Sequence, residues 1–476
     1  MIVKLWWAER LRPTFGTIAW YPARWLRTLP PHPVTSPSLR RTLSLRDLIF
    51  IVVGTVIGSG IFLTPGGVLT KAGSGGVALT VWAVGGVLSL LGALTFAELG
   101  AANPKAGGLY VHLKDAFGPA PAFLFGWTMF LVIGSGSLAT LAAAFPRYVD
   151  VFLPLGPMGQ RAVSLLLIAV VATVNVRGTR SSANVQGVAT IAKVLVIVSL
   201  AVALIVARPT TLSAQTWWPA TVSFSTISGA VTGMIGVLWA YEGWQYATFS
   251  AGETVDPQRT FGRGIVIGTA LLIGIYVLAN VGYVAALGLD GVAASKRVAS
   301  DAAAAVFGTW AGGAVTVVIL VSIFSASNGL VLTLPRVFYA MAADGLFFRR
   351  LADVHPRFGT PAAAIVATAV WSAVLVLSGT FEQLLTYVVF MSWVWFALAA
   401  LAIFALRRRH PDMERPFRTP GYPVTPALFV ASAAVIVVNT VVAQPVQSAI
   451  GLAITAAGAP AYLWWRSHAH ARPATS

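Results

Sequence analysis

Long stretches without charge alternate along the chain with short polar connections. Uncharged runs of 23, 26 and 31 positions separate Asp47 from Lys71, Lys71 from Glu98, and Asp115 from Arg147. Since roughly 20 apolar residues suffice for a helix to cross a bilayer, each run predicts a membrane-spanning helix. The same pattern continues to the end of the chain and predicts twelve spans, which we number in chain order.

The later runs complete this pattern. A run of 47 uncharged positions between Arg418 and Arg466 is too long for one helix, and Gln444-Pro445 divides it into spans 11 and 12. Spans 4, 5 and 6 are predicted at about residues 160–176, 184–206 and 227–250. The predicted organisation is a tail at 1–46, spans 1–5 at 47–206, spans 6–10 at 227–406, spans 11 and 12 at 423–465, and a tail at 466–476.

Composition narrows the class of protein. Of 476 residues, 57% are hydrophobic and 10% are charged, whereas a soluble domain has about 25% charged residues. This excludes an ordinary soluble enzyme, a disordered protein and a secreted disulfide scaffold. Cysteine is absent, which also excludes a thiolate metal site, a cysteine nucleophile and a disulfide-linked subunit.

Net charge by itself leaves two classes of partner open. The value of +17 is consistent with nucleic-acid binding or with a membrane protein whose loops are biased in charge. With the N-terminus placed inside, 25 Lys and Arg residues fall in inner loops and tails, 6 fall in outer loops, and Lys193 falls inside span 5. The positive-inside rule therefore predicts a multi-pass protein of the lipid bilayer of a bacterial cell membrane (the cytoplasmic membrane), with both termini cytoplasmic and no nucleic-acid partner.

The basic N-terminal tail carries four tryptophans, Trp6, Trp7, Trp20 and Trp25. It lacks the apolar region that follows the charges of a signal peptide. Two interpretations stay open. The tail is either a segment on the membrane surface with its indole rings at the interface, or a poorly ordered cytoplasmic extension.

No motif predicts catalysis or a bound cofactor. The chain lacks a Walker-type phosphate loop, its serines lack a nearby base, and its spans lack paired carboxylates. The His468-x-His470 pair in the C-terminal tail is weak evidence for a metal. We therefore expect a protein that is not an enzyme and that holds no metal and no cofactor.

Spans 1 and 6 are each interrupted near the middle. Gly58-Ser59-Gly60 interrupts span 1, and Glu242-Gly243 interrupts span 6. Unwinding frees backbone groups that must be satisfied inside the bilayer, and a half-helix that begins at Ser59 directs its positive end at an anion such as a carboxylate. Interrupted helices at corresponding positions of two halves are typical of inverted-repeat transporters. Two glycine-kinked structural helices are the alternative.

Several short motifs follow one another in a specific order and spacing. They are Gly54 to Phe62, Leu94 to Leu99, Pro104 to Gly108, Ala240 to Trp244, Gly252-Glu253, Asp256-Pro257, Ser327-Asn328-Gly329, Ala343 to Phe347, His355 to Pro361, and Arg415 to Phe417. Together they resemble the amino acid–polyamine–organocation (APC) superfamily, and within it the L-type amino acid transporter-like permeases. The resemblance covers about residues 43–465.

The resemblance implies an all-α integral membrane protein with a five-plus-five inverted repeat (LeuT-like), discontinuous helices 1 and 6, and a central site for an α-amino acid. The substrate carboxylate would meet backbone N–H groups at Ser59, Gly60 and Ile61. Its ammonium group would meet carbonyls near Val56, Trp239 and Glu242. The expected substrate-binding residues are Val56, Ile57, Gly58, Ser59, Gly60, Ile61, Trp239, Tyr241, Glu242 and Asn328.

Lys193 is the basic residue that falls inside a predicted span. A charge at the centre of a membrane helix costs about 2.5–3.5 kcal/mol on insertion scales, so it needs a partner or a role. Snorkelling to the interface is the alternative, but Lys193 lies near mid-depth. In the resembled family a lysine of span 5 stands where sodium-coupled relatives bind sodium. We therefore predict that Lys193 bridges spans 1, 5 and 8 and makes transport independent of sodium.

Two further polar residues inside spans leave alternatives open. Glu242 stands where the resembled family usually has glycine, and it is interpreted as a proton-coupling carboxylate, as a partner for a cationic substrate, or as a structural side chain. Asn328 in span 8 either hydrogen-bonds substrate or holds helices together.

The remaining acidic residues near span ends are interpreted as structural. Glu98 is expected to contact a loop at the cytoplasmic end of span 2. Glu253 and Asp256 are expected to pair with Arg259 or Arg263.

These observations predict a secondary active amino acid transporter that works by alternating access, through proton symport or amino acid exchange. Neutral L-amino acids are the expected substrates, and protons are a candidate coupling ion. Transport of cationic amino acids or polyamines is the alternative, because of Glu242. A membrane sensor that binds an amino acid without transporting it is the rival from another class.

Overall fold

The computed structural model describes residues 41–470, without the side chains of residues 209, 210, 469 and 470. The four tryptophans of the predicted N-terminal tail and part of the His468-x-His470 pair lie outside the described part of the chain. The last helix continues to His470, beyond the predicted end of span 12 at residue 465.

The predicted all-α membrane fold is confirmed. Within residues 41–470 the regular structure is helical, apart from one isolated β-bridge between Leu43 and Thr254. Eleven helices of this part of the chain are long and apolar enough to cross a membrane. The ninth predicted span is the shorter apolar helix Ala362–Ser378, whose 17 residues lie at the lower limit for a membrane helix, roughly 17 residues.

The helices of spans 1 to 5 account for the first half of the chain. They are Leu45–Val56, Gly60–Leu63 and Pro65–Ala72 (span 1), Gly75–Ala102 (span 2), Leu109–Phe117 (a connecting helix), Pro119–Thr128, the π-helix Met129–Ile133 and Gly134–Val149 (span 3), Pro157–Val176 (span 4), Thr179–Ala207 (span 5), and Pro209–Ser213.

The helices of spans 6 to 12 follow. They are Phe224–Ala240 and the 3-10 helix Trp244–Glu253 (span 6), Pro257–Ala294 (span 7), Val298–Phe307 (a connecting helix), Thr309–Thr333 and Pro335–Ala343 (span 8), the 3-10 helix Arg349–Ala352, Ala362–Ser378 (span 9), Phe381–Arg409 (span 10), Val424–Ala443 (span 11), and Pro445–Ala456 and Gly458–His470 (span 12).

The start of span 1 is fixed by local capping and by an ion pair. The Ser44 side chain accepts a hydrogen bond from the Asp47 N–H, and the Asp47 carboxylate accepts one from the Ser44 N–H, which is a capping box. Asp47 also accepts a hydrogen bond from Arg180 at 2.9 Å. Since Arg180 lies in the first turn of span 5, this contact ties the beginnings of spans 1 and 5 together.

Spans 1 and 6 are broken where the sequence predicts. Span 1 leaves the helical path at residues 57–59, and span 6 leaves it at residues 241–243, where Gly243 has a φ of 134°. This φ favours glycine. The two spans are in close contact at their breaks. A methyl group on Gly60 would overlap Ala240. The breaks therefore face each other.

Burial divides the spans into a core and a periphery. In spans 1 and 3, 78% of the most apolar 18-residue stretch is buried, and in spans 8 and 10 the buried share of that stretch is 67%. In spans 11 and 12 the shares are only 28% and 22%. The interrupted span 1 thus lies in the protein interior, whereas spans 11 and 12 expose most of their apolar surface to lipid.

The predicted loop contact of Glu98 is observed. Its carboxylate accepts hydrogen bonds from Arg407 at 2.8 and 2.7 Å and from the Thr419 N–H at 2.7 Å. Arg415 lies 3.5 Å from the same carboxylate. Glu98 therefore connects the end of span 2 to the end of span 10 and to the loop that follows it.

The predicted pairing of Glu253 with Arg259 or Arg263 is wrong. Glu253 pairs with Arg336 at 2.6 Å, and both side chains are 1% exposed. Thr179 donates a hydrogen bond to Glu253 and accepts one from Arg336. Arg259 instead lies 3.9 Å from Asp256 and is 84% exposed. The carboxylate turns inward at the end of span 6, where it meets the second helix of span 8, Pro335–Ala343.

We expect Arg336→Met to destabilise the protein by about 3–5 kcal/mol, because the substitution leaves Glu253 as a buried charge without its partner. Thermal unfolding of the full chain in detergent measures the loss. Arg259→Met, at an exposed position, is the matched control and should leave the unfolding temperature unchanged. The double variant Arg336→Met/Glu253→Gln should recover part of the loss. Equal unfolding temperatures for Arg336→Met and wild type would contradict the assignment.

Candidate functional site

A small cavity lies where the breaks of spans 1 and 6 face each other, with spans 3 and 8 closing its sides. Its volume is about 20 Å³, which is room for roughly one water molecule. Six predicted substrate-binding residues line it: Val56, Gly58, Ser59, Gly60, Trp239 and Glu242. Its other lining residues were not predicted to bind substrate: Thr55, Ser137, Leu141, Tyr246 and Leu330.

The other four predicted substrate-binding residues lie beside the cavity and do not line it. The Ile57 carbonyl accepts hydrogen bonds from Lys193 and Ser322. The Tyr241 ring packs against the rings of Trp82 and Tyr276. Ile61 is fully buried in the first turn of the second half of span 1. Asn328 is treated below.

Unpaired hydrogen-bond donors belong to residues that line the cavity. The second half of span 1 begins at Gly60, and the first N–H groups of a helix have no acceptor within the helix. Ser59 Oγ and Trp239 Nε1 are buried and have no partner within the described residues. A helix N-terminus with unsatisfied donors favours a negatively charged group.

The carbonyl ends of the first halves of spans 1 and 6 converge on one side chain. The Tyr276 hydroxyl of span 7 lies 3.0 Å from the Val56 carbonyl oxygen and 2.9 Å from that of Ala240. Val56 and Ala240 are the last helical residues before the two breaks. A single hydroxyl proton therefore serves two carbonyl oxygens, and it holds the two negative helix ends close together.

Glu242 is held by neutral donors. Its Oε1 accepts hydrogen bonds from Gln245 at 2.6 Å, Ser392 at 3.1 Å and Tyr246 at 3.2 Å. The Tyr246 hydroxyl also lies 3.1 Å from Ser137 Oγ. Spans 3, 6 and 10 are thereby joined around one carboxylate. In the part of the chain that the structure describes, no basic side chain forms an ion pair with Glu242.

Lys193 of span 5 contacts the break in span 1. Its Nζ is fully buried and donates to the carbonyl oxygens of Gly54 at 2.5 Å and Ile57 at 2.6 Å, and to Ser325 Oγ at 3.2 Å. Ser325 belongs to span 8. The ammonium group therefore connects spans 1, 5 and 8 and satisfies carbonyls that the unwinding of span 1 sets free.

Asn328 contacts other helices instead of the cavity. Its Oδ1 accepts hydrogen bonds from Asn175 at 2.9 Å and Ser182 at 3.1 Å, and its Nδ2 donates to the Ser182 carbonyl at 3.2 Å. These contacts join span 8 to spans 4 and 5. Of the two interpretations of Asn328, the structure supports the one in which it holds helices together.

Sequence reasoning did not identify Ser137, Tyr246, Ser392 or Tyr276 as site residues. A hydroxyl in an apolar span was the available signal, but it is a weak one. Many such hydroxyls bond to a carbonyl of their own helix, as Thr140 and Thr269 do. Ser137 does so as well, and only the packing of the spans shows that it also reaches Tyr246.

The known proteins to which this chain is similar are amino acid transporters and exchangers. The family model described as amino acid permease matches residues 43–462. The human cystine/glutamate transporter is 32% identical over 436 residues, which cover 89% of this chain and 85% of that protein. The serine/threonine exchanger SteT of Bacillus subtilis is 29% identical over 433 residues, 89% of this chain and 96% of that one. The human b(0,+)-type amino acid transporter 1 is 32% identical over 419 residues, 86% and 84% of the two chains.

We expect Tyr276→Phe to destabilise the protein by about 1–3 kcal/mol, because two buried carbonyl oxygens lose their shared donor. Thermal unfolding in detergent measures the change. Tyr148→Phe is the matched control, since the buried Tyr148 hydroxyl has no partner in the described range of residues, and its removal leaves no acceptor unpaired. A Tyr276→Phe variant as stable as Tyr148→Phe would show that the hydroxyl does not hold the two helix ends.

Proposed function

The chain belongs to the amino acid permease family, and we propose that it is a secondary active, sodium-independent transporter of neutral L-amino acids. It is a multi-pass membrane protein. We place it in a bacterial cytoplasmic membrane with both termini cytoplasmic, on the distribution of Lys and Arg between the loops. The observation that carries the proposal is the cavity between the breaks of spans 1 and 6.

The donors and acceptors around this cavity suit the two charges of an α-amino acid. The start of the second half of span 1 and the free donors of Ser59 and Trp239 would receive the carboxylate. Carbonyl oxygens near Val56, Trp239 and Glu242, with the carboxylate of Glu242, would receive the ammonium group. Relatives named as amino acid transporters and exchangers support this substrate class and a function that is not enzymatic.

Transport by alternating access requires the cavity to open. At about 20 Å³ it is too small for any amino acid, so the described arrangement is a closed one. The breaks in spans 1 and 6 are the points at which the outer and inner halves of these helices can move independently. The buried pair of Glu253 and Arg336 lies at the end predicted to be cytoplasmic, and we propose that it keeps this end closed.

The position of Lys193 supports transport without sodium. Carbonyl and hydroxyl oxygens are ligands for hard cations, and here Gly54, Ile57 and Ser325 supply such oxygens to the lysine ammonium group. The Lys193 side chain thereby occupies the place that a coupling cation would need.

The remaining alternatives for coupling and substrate differ in the role that they give to Glu242. A buried carboxylate with neutral donors alone is costly, and a proton or a cationic group of the substrate would neutralise it. The first case is proton symport. The second is transport of cationic amino acids or polyamines. If Glu242 is structural, held by Gln245, Tyr246 and Ser392, amino acid exchange needs no proton.

We expect uptake into proteoliposomes to be the same, within about twofold, in sodium and in choline buffers. A panel of neutral, cationic and acidic amino acids and a polyamine identifies the substrate first. Lys193→Ala should lower uptake at least tenfold in both buffers, because the carbonyls of Gly54 and Ile57 lose a donor. Lys105→Ala, at an exposed loop position, is the control. A strong sodium requirement in the wild type would refute this proposal.

The same liposomes separate a transporter from a sensor. A transporter preloaded with unlabelled substrate accumulates labelled substrate from outside by counterflow, whereas a sensor that only binds the amino acid does not. Uptake that depends strictly on internal amino acid indicates exchange. Uptake driven by an inward proton gradient indicates symport.

If Glu242 carries the coupled proton, Glu242→Gln should remove the pH dependence of uptake and keep counterflow. Amide replaces carboxylate with little change in volume, so the donors Gln245, Tyr246 and Ser392 keep a partner oxygen. Glu382→Gln, a change of the same kind at an exposed carboxylate, is the control. An unchanged pH dependence in Glu242→Gln would exclude Glu242 as the proton carrier.

A further inference from the structure

An apolar groove of about 600 Å³ lies on the outer surface of the bundle, between spans 3, 4 and 9. Phe130, Val176, Ala363 and Val366 form its walls. Val366 is 51% exposed. The groove therefore opens toward the lipid and is separate from the central cavity.

Specific contacts hold this groove in shape. Span 3 contains a π-helix at Met129–Ile133, and the Leu131 carbonyl within it accepts a hydrogen bond from Trp371 of span 9 at 3.0 Å. The Thr360 hydroxyl, just before span 9, donates to the Val176 carbonyl at the end of span 4 at 2.9 Å. Alanines at 362, 363 and 367 leave the space between these fixed helices unfilled.

The mouth of the groove is basic. The short 3-10 helix Arg349–Ala352 lies there, and Arg350 and Leu351 line the groove directly. Arg349 directly precedes Arg350, and Arg177 follows the groove residue Val176. All three arginines are exposed, and none of them forms an ion pair with a described acidic residue. Phe348, beside them, is 59% exposed.

We propose that this groove binds one anionic phospholipid, with an acyl chain along the apolar walls and the phosphate at Arg349 and Arg350. The loop after span 8 belongs to the end predicted to be cytoplasmic, where basic pockets between spans select anionic headgroups. Arginine forms paired hydrogen bonds to phosphate oxygens. A zwitterionic lipid offers the same chains but also carries a positive group, so its headgroup is recognised less well.

Native mass spectrometry of the purified full chain tests this site. The protein is titrated with phosphatidylglycerol or with phosphatidylcholine of identical acyl chains. We expect one phosphatidylglycerol to bind about tenfold more tightly than phosphatidylcholine. Arg349→Gln/Arg350→Gln should reduce the ratio to below about twofold. Arg259→Gln/Arg263→Gln removes two exposed arginines elsewhere at the same end, and should keep the wild-type ratio.

A second variant tests whether the acyl chain lies in the groove. Ala367→Phe fills the groove and leaves the arginines in place, so both lipids should bind about tenfold more weakly. Its thermal unfolding is compared with that of the wild type to show that it folds. Equal affinity of wild type for the two lipids, or an unchanged ratio in Arg349→Gln/Arg350→Gln, would overturn the proposal. If Ala367→Phe bound both lipids as tightly as the wild type does, the acyl chain would not lie in this groove.

Discussion

Every backbone polar group inside a bilayer has to find a partner within the protein, and this constraint organises the centre of the molecule. The breaks in spans 1 and 6 set carbonyl and N–H groups free at mid-depth. Lys193 and Tyr276 satisfy freed carbonyls at both breaks. Donors at Ser59 and Trp239 have no such partner among the described residues. Side chains of the protein thus contact freed carbonyls at both breaks, whereas these two buried donors stay unpaired in the described residues.

Buried charges are treated in two different ways. Glu253 and Arg336 pair directly and share Thr179, so their charges cancel within the protein. Lys193 and Glu242 contact only neutral groups of the described chain. A direct pair mainly fixes structure, because breaking it leaves an uncompensated charge. A charge held by neutral groups can respond to a proton, an ion or a substrate.

The centre and the periphery meet different requirements. Around the cavity, glycines allow backbones to touch, as Gly60 does at Ala240. On span 9, alanines face a π-helix and leave a groove toward the lipid. Small residues therefore allow close packing at the centre and leave a gap at the surface. The central cavity lies beside polar groups, whereas the surface groove lies beside apolar groups and exposed arginines.

The sequence alone determined the features that depend on neighbouring residues. Uncharged runs marked the spans, because the length of an apolar helix matches the bilayer. Gly58-Ser59-Gly60 and Glu242-Gly243 indicated the breaks. Lys193 and Glu242 were recognisable as unusual because each is a charged residue inside an apolar span. The family motifs predicted a candidate site between spans 1 and 6 for the same reason, since each motif is a short continuous segment.

Only the tertiary structure decided which distant residues meet. Glu253 pairs with Arg336 and not with its near neighbours, because its carboxylate faces the interior. Tyr276 of span 7 donates to a carbonyl oxygen at each break. Asn328 contacts spans 4 and 5 instead of the cavity. Each of these contacts depends on how one helix is rotated about its axis against its neighbours. In spans that are apolar on all sides, hydrophobicity carries no information about that rotation, so packing has to set it.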